Sequence, residues 1–207
     1  MSERPFELLE TLAFHPGEGY RRLEGHLRRL RRGAAFFGIP VDDGPERALD
    51  QIGASLVKPS RVRLLVDQLG GVRVEAAELA SHGGVVRVGL ATRPVDRHSA
   101  FLRHKTTRRD VYEEAVRSRP DVDDVLLFND RGEITESAVA NVAVPGPVGI
   151  LVTPPVDCGL LPGVEREALL EEGRLHEGIV RVADLVPGQR LTLLNSVRGS
   201  YDATFVD

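Results

Sequence analysis

Two turn signals constrain the architecture of this chain more than any other feature. Asp67-Gln-Leu-Gly-Gly71 separates strand-like runs at 61–66 and 72–79, and Asn129-Asp-Arg-Gly132 separates runs at 122–128 and 133–144. Asp, Asn and Gly clustered between apolar runs are tight-turn chemistry, so the first signal reads as a hairpin and the second as a strand–turn–strand. Further strands are expected at 7–14 and 85–91, and near 179–182, 190–194 and 203–206. One helix is expected over 26–37, stopped by Gly38 and Pro40. A second starts after Asp42-Asp43, with Pro45 in its first turn and Ala48, Leu49, Ile52 and Leu56 facing inward. Two more are expected over 110–117 and 164–175, the latter straight after Leu-Pro-Gly. Arg93-Pro-Val-Asp-Arg-His98 is polar and contains proline, and it reads as a linker. The expected class is α/β (α+β): a small N-terminal α/β domain over 1–92, the linker at 93–98, and a larger domain over 99–207.

The formal net charge of −4 gives no electrostatic reason to expect a nucleic-acid partner. The arginine-rich run 21–32 carries Leu23, Leu27 and Leu30 at helical spacing, which reads as an amphipathic helix with a basic outer face. Cys158 is the single cysteine, so no intrachain disulfide can form, and a small residue filling a tight turn is the favoured reading for it. There is no apolar signal core at the N-terminus and no apolar run near the ~20 residues of a membrane span. A cytoplasmic location without a membrane partner is therefore expected, and no metal site.

Lysine occurs only at positions 58 and 105, and every other side-chain cation apart from histidine is arginine. Lys105 lies in Phe101-Leu-Arg-His-Lys-Thr-Thr-Arg108. Guanidinium does not give up its proton in proteins, whereas a lysine amine does and can form a Schiff base with a carbonyl. Downstream, residues 128–142 read Phe-Asn-Asp-Arg-Gly-Glu-Ile-Thr-Glu-Ser-Ala-Val-Ala-Asn-Val, and residues 153–167 contain Cys-Gly-Leu-Leu-Pro-Gly-Val-Glu. Lysine, then Thr-Glu-Ser with Ala-Asn-Val, then Gly-Leu-Leu-Pro-Gly-Val, in that order, resembles the class IV (fold type IV) pyridoxal-phosphate enzymes. That family includes branched-chain and D-amino acid aminotransferases and aminodeoxychorismate lyase.

The resemblance implies a fold type IV enzyme with a β-barrel-like second domain carrying helices, and with pyridoxal 5'-phosphate in the cleft between domains. It implies that Lys105 is the Schiff-base lysine and general acid/base, and that Glu136 partners the pyridine nitrogen. Phosphate contacts fall to Arg29, the amides of Val164 and Glu165, and Ser196. Glu165 stands where relatives often carry threonine or another small or neutral residue, so its side chain should point away from the phosphate. Substrate carboxylates would meet Arg61, Arg63 and Arg198, and Thr11 matches a lyase threonine that could relay a proton. His104, beside the lysine, reads as a structural histidine. Position 110 is aspartate where branched-chain aminotransferases carry a tyrosine beside the cofactor, and helical geometry is expected to rotate Tyr112 away.

The chain reaches Phe6-Glu-Leu-Leu-Glu-Thr11 with little before it. Together with Pro16-Gly-Glu-Gly19 and His26-Leu-Arg-Arg-Leu30, this start looks like the lyase half of bifunctional aminobenzoate-synthesis proteins. The expected function is a 4-amino-4-deoxychorismate lyase yielding 4-aminobenzoate and pyruvate for folate synthesis. A branched-chain or D-amino acid aminotransferase is the alternative, and a degenerate, non-catalytic relative the second. The implied partners are a small carboxylated substrate, a second copy in a homodimer, and an aminodeoxychorismate synthase as a functional link.

Overall fold

The computed structural model describes residues 5–80 and 83–207. By contacts the described residues divide into two units, one formed by 5–80 with His104–Arg108, the other by 83–103 with Arg109–Asp207.

The first unit is built on a four-stranded antiparallel sheet. It comprises β1 (Leu8–His15), the short β2 (Gly19–Tyr20), β3 (Ser60–Val66) and β4 (Val72–Glu78), in the order β2-β1-β3-β4. The hairpin at Asp67 forms as expected, with Asp67 Oδ1 accepting from the backbone of Leu69 and Gly71, and Gly70 at φ +86°. Helix α1 (Leu23–Phe37) covers one face, burying Leu27, Leu30 and Ala34, and ends at Gly38 in the left-handed conformation. Burial of each such leucine contributes about 1.5–3 kcal/mol. Helix α2 (Gly44–Gly53) carries Pro45 in its first turn and buries Leu49, but it stops at Gly53, so Leu56 lies beyond the helix that was expected to hold it.

The second unit holds an eight-stranded mixed sheet. Its strands are β5 (Val86–Leu90), β6 (Asp124–Phe128), β7 (Ile134–Ser137), β8 (Asn141–Pro145), β9 (Leu151–Thr153), β10 (Leu175–Glu177), β11 (Arg190–Asn195) and β12 (Gly199–Phe205). Their order is β10-β9-β8-β11-β12-β5-β6-β7. The edge strand β7 passes into β8 within three residues, so the sheet curls back on itself. Val88, Leu126, Ile134, Val142, Leu193 and Phe205 fill its core. Helices α3 (Ala100–Arg103), α4 (Asp110–Ser118) and α5 (Val164–Glu171) complete the unit.

Three expectations need correction here. The single strand expected over 133–144 is two, because Ser137 bonds back to Ala140 through its N–H and hydroxyl and closes a tight turn. The helix expected to Leu175 ends at Glu171, where Gly173 at φ +69° redirects the chain and frees Leu175 to pair with Leu151. No strand forms over 179–182. That segment holds one bridge, Glu133 to Arg181, and runs into a 3-10 turn capped by Arg181 and Asp184.

Candidate active site

Lys105 sits on a five-residue segment that belongs to the first unit although the residues on both sides belong to the second. Leu9 N donates to Lys105 O at 3.0 Å, Thr107 N to Glu7 O at 2.8 Å, and Glu7 N to Thr107 Oγ1 at 2.9 Å, while Leu8 bridges Thr106 antiparallel. The lysine backbone thus extends the β1 edge, and its side chain is half-buried. His104 stacks on Phe36 with centroids 4.2 Å apart and meets the edge of Phe37 at 5.3 Å, which is a packing role.

Arg29 lies on the inner face of α1, 6% exposed, and its Nε and Nη2 donate to Glu10 Oε1 and Oε2 at 2.9 and 2.6 Å. His26 Nδ1 lies 2.6 Å from Glu10 Oε2, and both residues are 1% exposed. Burial pushes the Glu10 carboxyl up, but the charge and fork of Arg29 and the His26 bond outweigh it and hold the group at about 2. The His26 pKa is lowered as well, which for an imidazole favours the neutral form. Burial depresses its pKa more than Glu10 raises it, and the Arg29 and Lys105 charges add to the depression. An ionised acceptor facing a neutral imidazole assigns the proton to Nδ1. Glu10 was absent from the sequence reading. The available signal was a carboxylate at the inward position between Leu8 and Leu12, which must find a cationic partner.

Thr11 pairs across the sheet with Arg63, and both are half-buried. Arg63 Nη1 contacts Glu75 Oε2 at 3.0 Å. Arg61, two residues along the same face, is exposed.

In the second unit Glu136 lies in β7, 4% exposed. Its Oε1 accepts from the Tyr112 hydroxyl at 2.7 Å and from Leu161 N at 3.1 Å, and its Oε2 from Asn141 Nδ2 at 3.2 Å. Tyr112 was expected to turn away. The third position of α4 instead points it inward, among Leu102, Ala115, Val125 and Leu127. Glu133, the other acid of this run, serves the Asn129 turn, accepting from Asn129 and Arg131, with Cys158 Sγ at 3.5 Å. Burial and the Glu133 charge push the Cys158 thiol up to about 11, in keeping with a packed, inert residue.

Asn141 also donates to Leu161 O at 2.9 Å, and it borders Gly163, where a Cβ would lie 1.9 Å from Asn141 Oδ1. Gly163 precedes α5 with no side-chain cap, so the N-terminal amides of Val164 and Glu165 form the kind of anion site a helix start provides. Both residues are buried, Glu165 to 3% exposure. Ser196 is buried within the turn organised by Asn195 Oδ1, which accepts from Val197 N and Arg198 N. Arg198 is exposed and lies over the Tyr201 ring at 5.1 Å.

Residues 7–204 match the family described as amino-transferase class IV. The chain is 39% identical over 189 residues to a Schizosaccharomyces pombe protein assigned as an aminodeoxychorismate lyase, covering 85% of this chain and 80% of that one. It is 26% identical over 207 residues to a Thermotoga maritima protein assigned as a branched-chain-amino-acid aminotransferase, covering 94% and 74%. A solved structure from Mesorhizobium loti, assigned as an amino-acid aminotransferase, is 38% identical with a TM-score of 0.90, covering 97% of this chain and all of that one. The chain belongs to the class IV amino-transferase family and is a pyridoxal-phosphate-dependent enzyme. The donor chemistry of the second unit fits that cofactor: a buried carboxylate suits a protonated pyridine, and the glycine-led start of α5 suits a phosphate. Among the described residues no helix is long and apolar enough to cross a membrane.

Proposed function

We propose that the enzyme is a 4-amino-4-deoxychorismate lyase, releasing 4-aminobenzoate and pyruvate. The observation that carries this reading is the identity to the fission-yeast lyase-assigned protein across most of both chains. In this reading Lys105 holds the cofactor through its amine, Glu136 keeps the ring nitrogen protonated, and Arg29, Ser196 and the amides of Val164 and Glu165 bind the phosphate. Bound pyridoxal phosphate supplies an electron sink for the carbon that bears the substrate amine. The substrate amine takes the place of the Lys105 amine on the cofactor, and the lysine so released takes the proton from that carbon; Lys105 or Thr11 returns one as the enolpyruvyl ether departs as pyruvate. The ring left behind is aromatic, which provides much of the driving force.

Arg61, Arg63 and Arg198 orient the two substrate carboxylates. Thr11 and Arg63 are cross-strand neighbours on one sheet face, close enough to contact a common ligand, which supports a shared role. Glu10 holds Arg29 in a fixed orientation before the phosphate arrives, which reduces the entropy lost on binding. The same reading carries a homodimer and a synthase that supplies the substrate. A second reading, transamination of an amino acid, is favoured by the Mesorhizobium loti structure and the Thermotoga maritima relative.

The test is 4-aminobenzoate formation from enzymatically generated aminodeoxychorismate with pyridoxal phosphate added. The native chain should give product, and Lys105→Ala should lose at least about a thousand-fold of the rate, as expected when a covalent and acid/base group is removed. A bound-cofactor band without product, together with turnover of an amino donor, would replace the lyase reading with the transaminase one.

A further inference from the structure

We propose that Tyr112 is a positioning residue for Glu136, setting the orientation and basicity of the carboxylate that faces the cofactor ring. The inference rests on the reading of Glu136 as the ring-nitrogen partner and goes beyond it by assigning a second residue to the same task.

Three observations support it. The hydroxyl–carboxylate distance of 2.7 Å is that of a well-made O–H···O bond, and both residues are buried, at 7% and 4% exposure. The phenol is fixed from its other side as well. The Arg109 guanidinium lies over its ring at 4.4 Å and donates to Ala138 O, two residues beyond Glu136. Burial, followed by the Glu136 charge, raises the Tyr112 pKa well above the usual tyrosine value, so the group stays a neutral donor across the working range.

The bond also lies where it can matter. Oε1 of Glu136 takes both the Tyr112 hydroxyl and the amide of Leu161, and Leu161 leads through Pro162 and Gly163 into α5. Tyr112 therefore anchors the carboxylate from the helix side, while Leu161 anchors it from the loop and Asn141 from β8. Each donor stabilises the anion and lowers its affinity for a proton. Removal of the shortest of these three bonds should make Glu136 more basic and less fixed, so that it competes for the ring proton. A tyrosine that only fills space among Leu102, Ala115, Val125 and Leu127 would do neither.

The experiment uses the full chain with pyridoxal phosphate as probe and reads the cofactor dissociation constant and the position of the bound-cofactor absorption band. Tyr112→Phe should weaken cofactor binding roughly ten-fold, the loss expected for one hydrogen bond to a charged group, and should move the band. Thermal unfolding without cofactor checks that the variant remains folded and reads separately the stability lost with the buried bond. In the Glu136→Gln background the same substitution should have little further effect, because the two residues act as one unit. Tyr112→Leu, which also lacks the hydroxyl, gives a second variant should the first fold poorly. Native affinity and an unmoved band in a folded Tyr112 variant would overturn the proposal. So would an equal loss of affinity in both backgrounds, which marks a packing effect. If Glu136→Gln alone left affinity and band unchanged, the reading of Glu136 itself would fall, and this inference with it.

Discussion

Glu10 and Glu136 are both buried carboxylates at the ends of hydrogen-bond networks, one in each unit, yet they are held by different chemistry. Glu10 is gripped by the guanidinium fork of Arg29 and by a histidine ring. Its charge is largely answered within the protein, and it acts as a brace for an arginine. Glu136 accepts from the neutral donors of Tyr112, Leu161 and Asn141, which stabilise an anion by hydrogen bonding. The contrast teaches that burial of an acid does not by itself define a site. The partners matter too: Arg29 and His26 tie Glu10 to the fold, while the role proposed for Glu136 is to partner the cofactor ring.

The largest effect that would sharpen this comparison is on stability. Glu10→Gln leaves Arg29 buried opposite a neutral amide and should destabilise folding by about 3 kcal/mol, read by urea unfolding at neutral pH. The acid limb carries the sign. The folded Glu10 carboxyl lies at about 2 against an ordinary 4.5, so its contribution is present above the ordinary value and is lost as pH falls towards the folded one. The native chain should therefore lose stability across that window, and Glu10→Gln should lose less of it. Equal acid sensitivity in both proteins would remove Glu10 from the role of brace.

Gly163→Ala comes next. The glycine has φ −70°, which any residue adopts, so the effect would arise from contact alone. The added methyl meets Asn141 Oδ1 at 1.9 Å and must displace the amide that also bonds Glu136. Overpacking of this kind costs about 1–3 kcal/mol. Cofactor affinity should fall roughly ten-fold, which is about 1.4 kcal/mol. Isothermal titration with pyridoxal phosphate checks this, and unchanged affinity would mean that Asn141 moves without consequence.

The smallest expected effect is that of Arg63→Ala on folding. The Arg63–Glu75 pair is partly exposed, and such pairs contribute about 0–1 kcal/mol. Under the proposed function the same variant should raise KM for the carboxylated substrate several-fold with kcat less affected. A large loss of stability with normal KM would assign Arg63 to the fold instead.

Much of the fold was legible because its signals are local. The Asp67 and Asn129 turns, the Gly38 stop of α1 and the Leu-Pro-Gly start of α5 are written in residues with strong backbone preferences. The split of 133–144 was not legible, since Ser137-Ala-Val-Ala140 has the composition of a strand and turns only because the serine bonds back on itself. Leu175 continued the apolar spacing of α5 and was claimed by sheet pairing with β9. Of the candidate site residues, Lys105, Glu136 and Gly163 stood out through motif order. Glu10 did not, and Tyr112 was read as turned away, because each meets a partner distant in sequence, nineteen residues away for Glu10 and Arg29 and twenty-four for Tyr112 and Glu136.

The most direct test of the contrast is to compare Glu10→Gln with Glu136→Gln, by unfolding without cofactor and by titration with pyridoxal phosphate. Glu10→Gln should unfold earlier than the native chain, and Glu136→Gln should keep a near-native midpoint but bind the cofactor weakly with an altered absorption band. A Glu136→Gln protein that binds and absorbs like the native chain would contradict the division of roles.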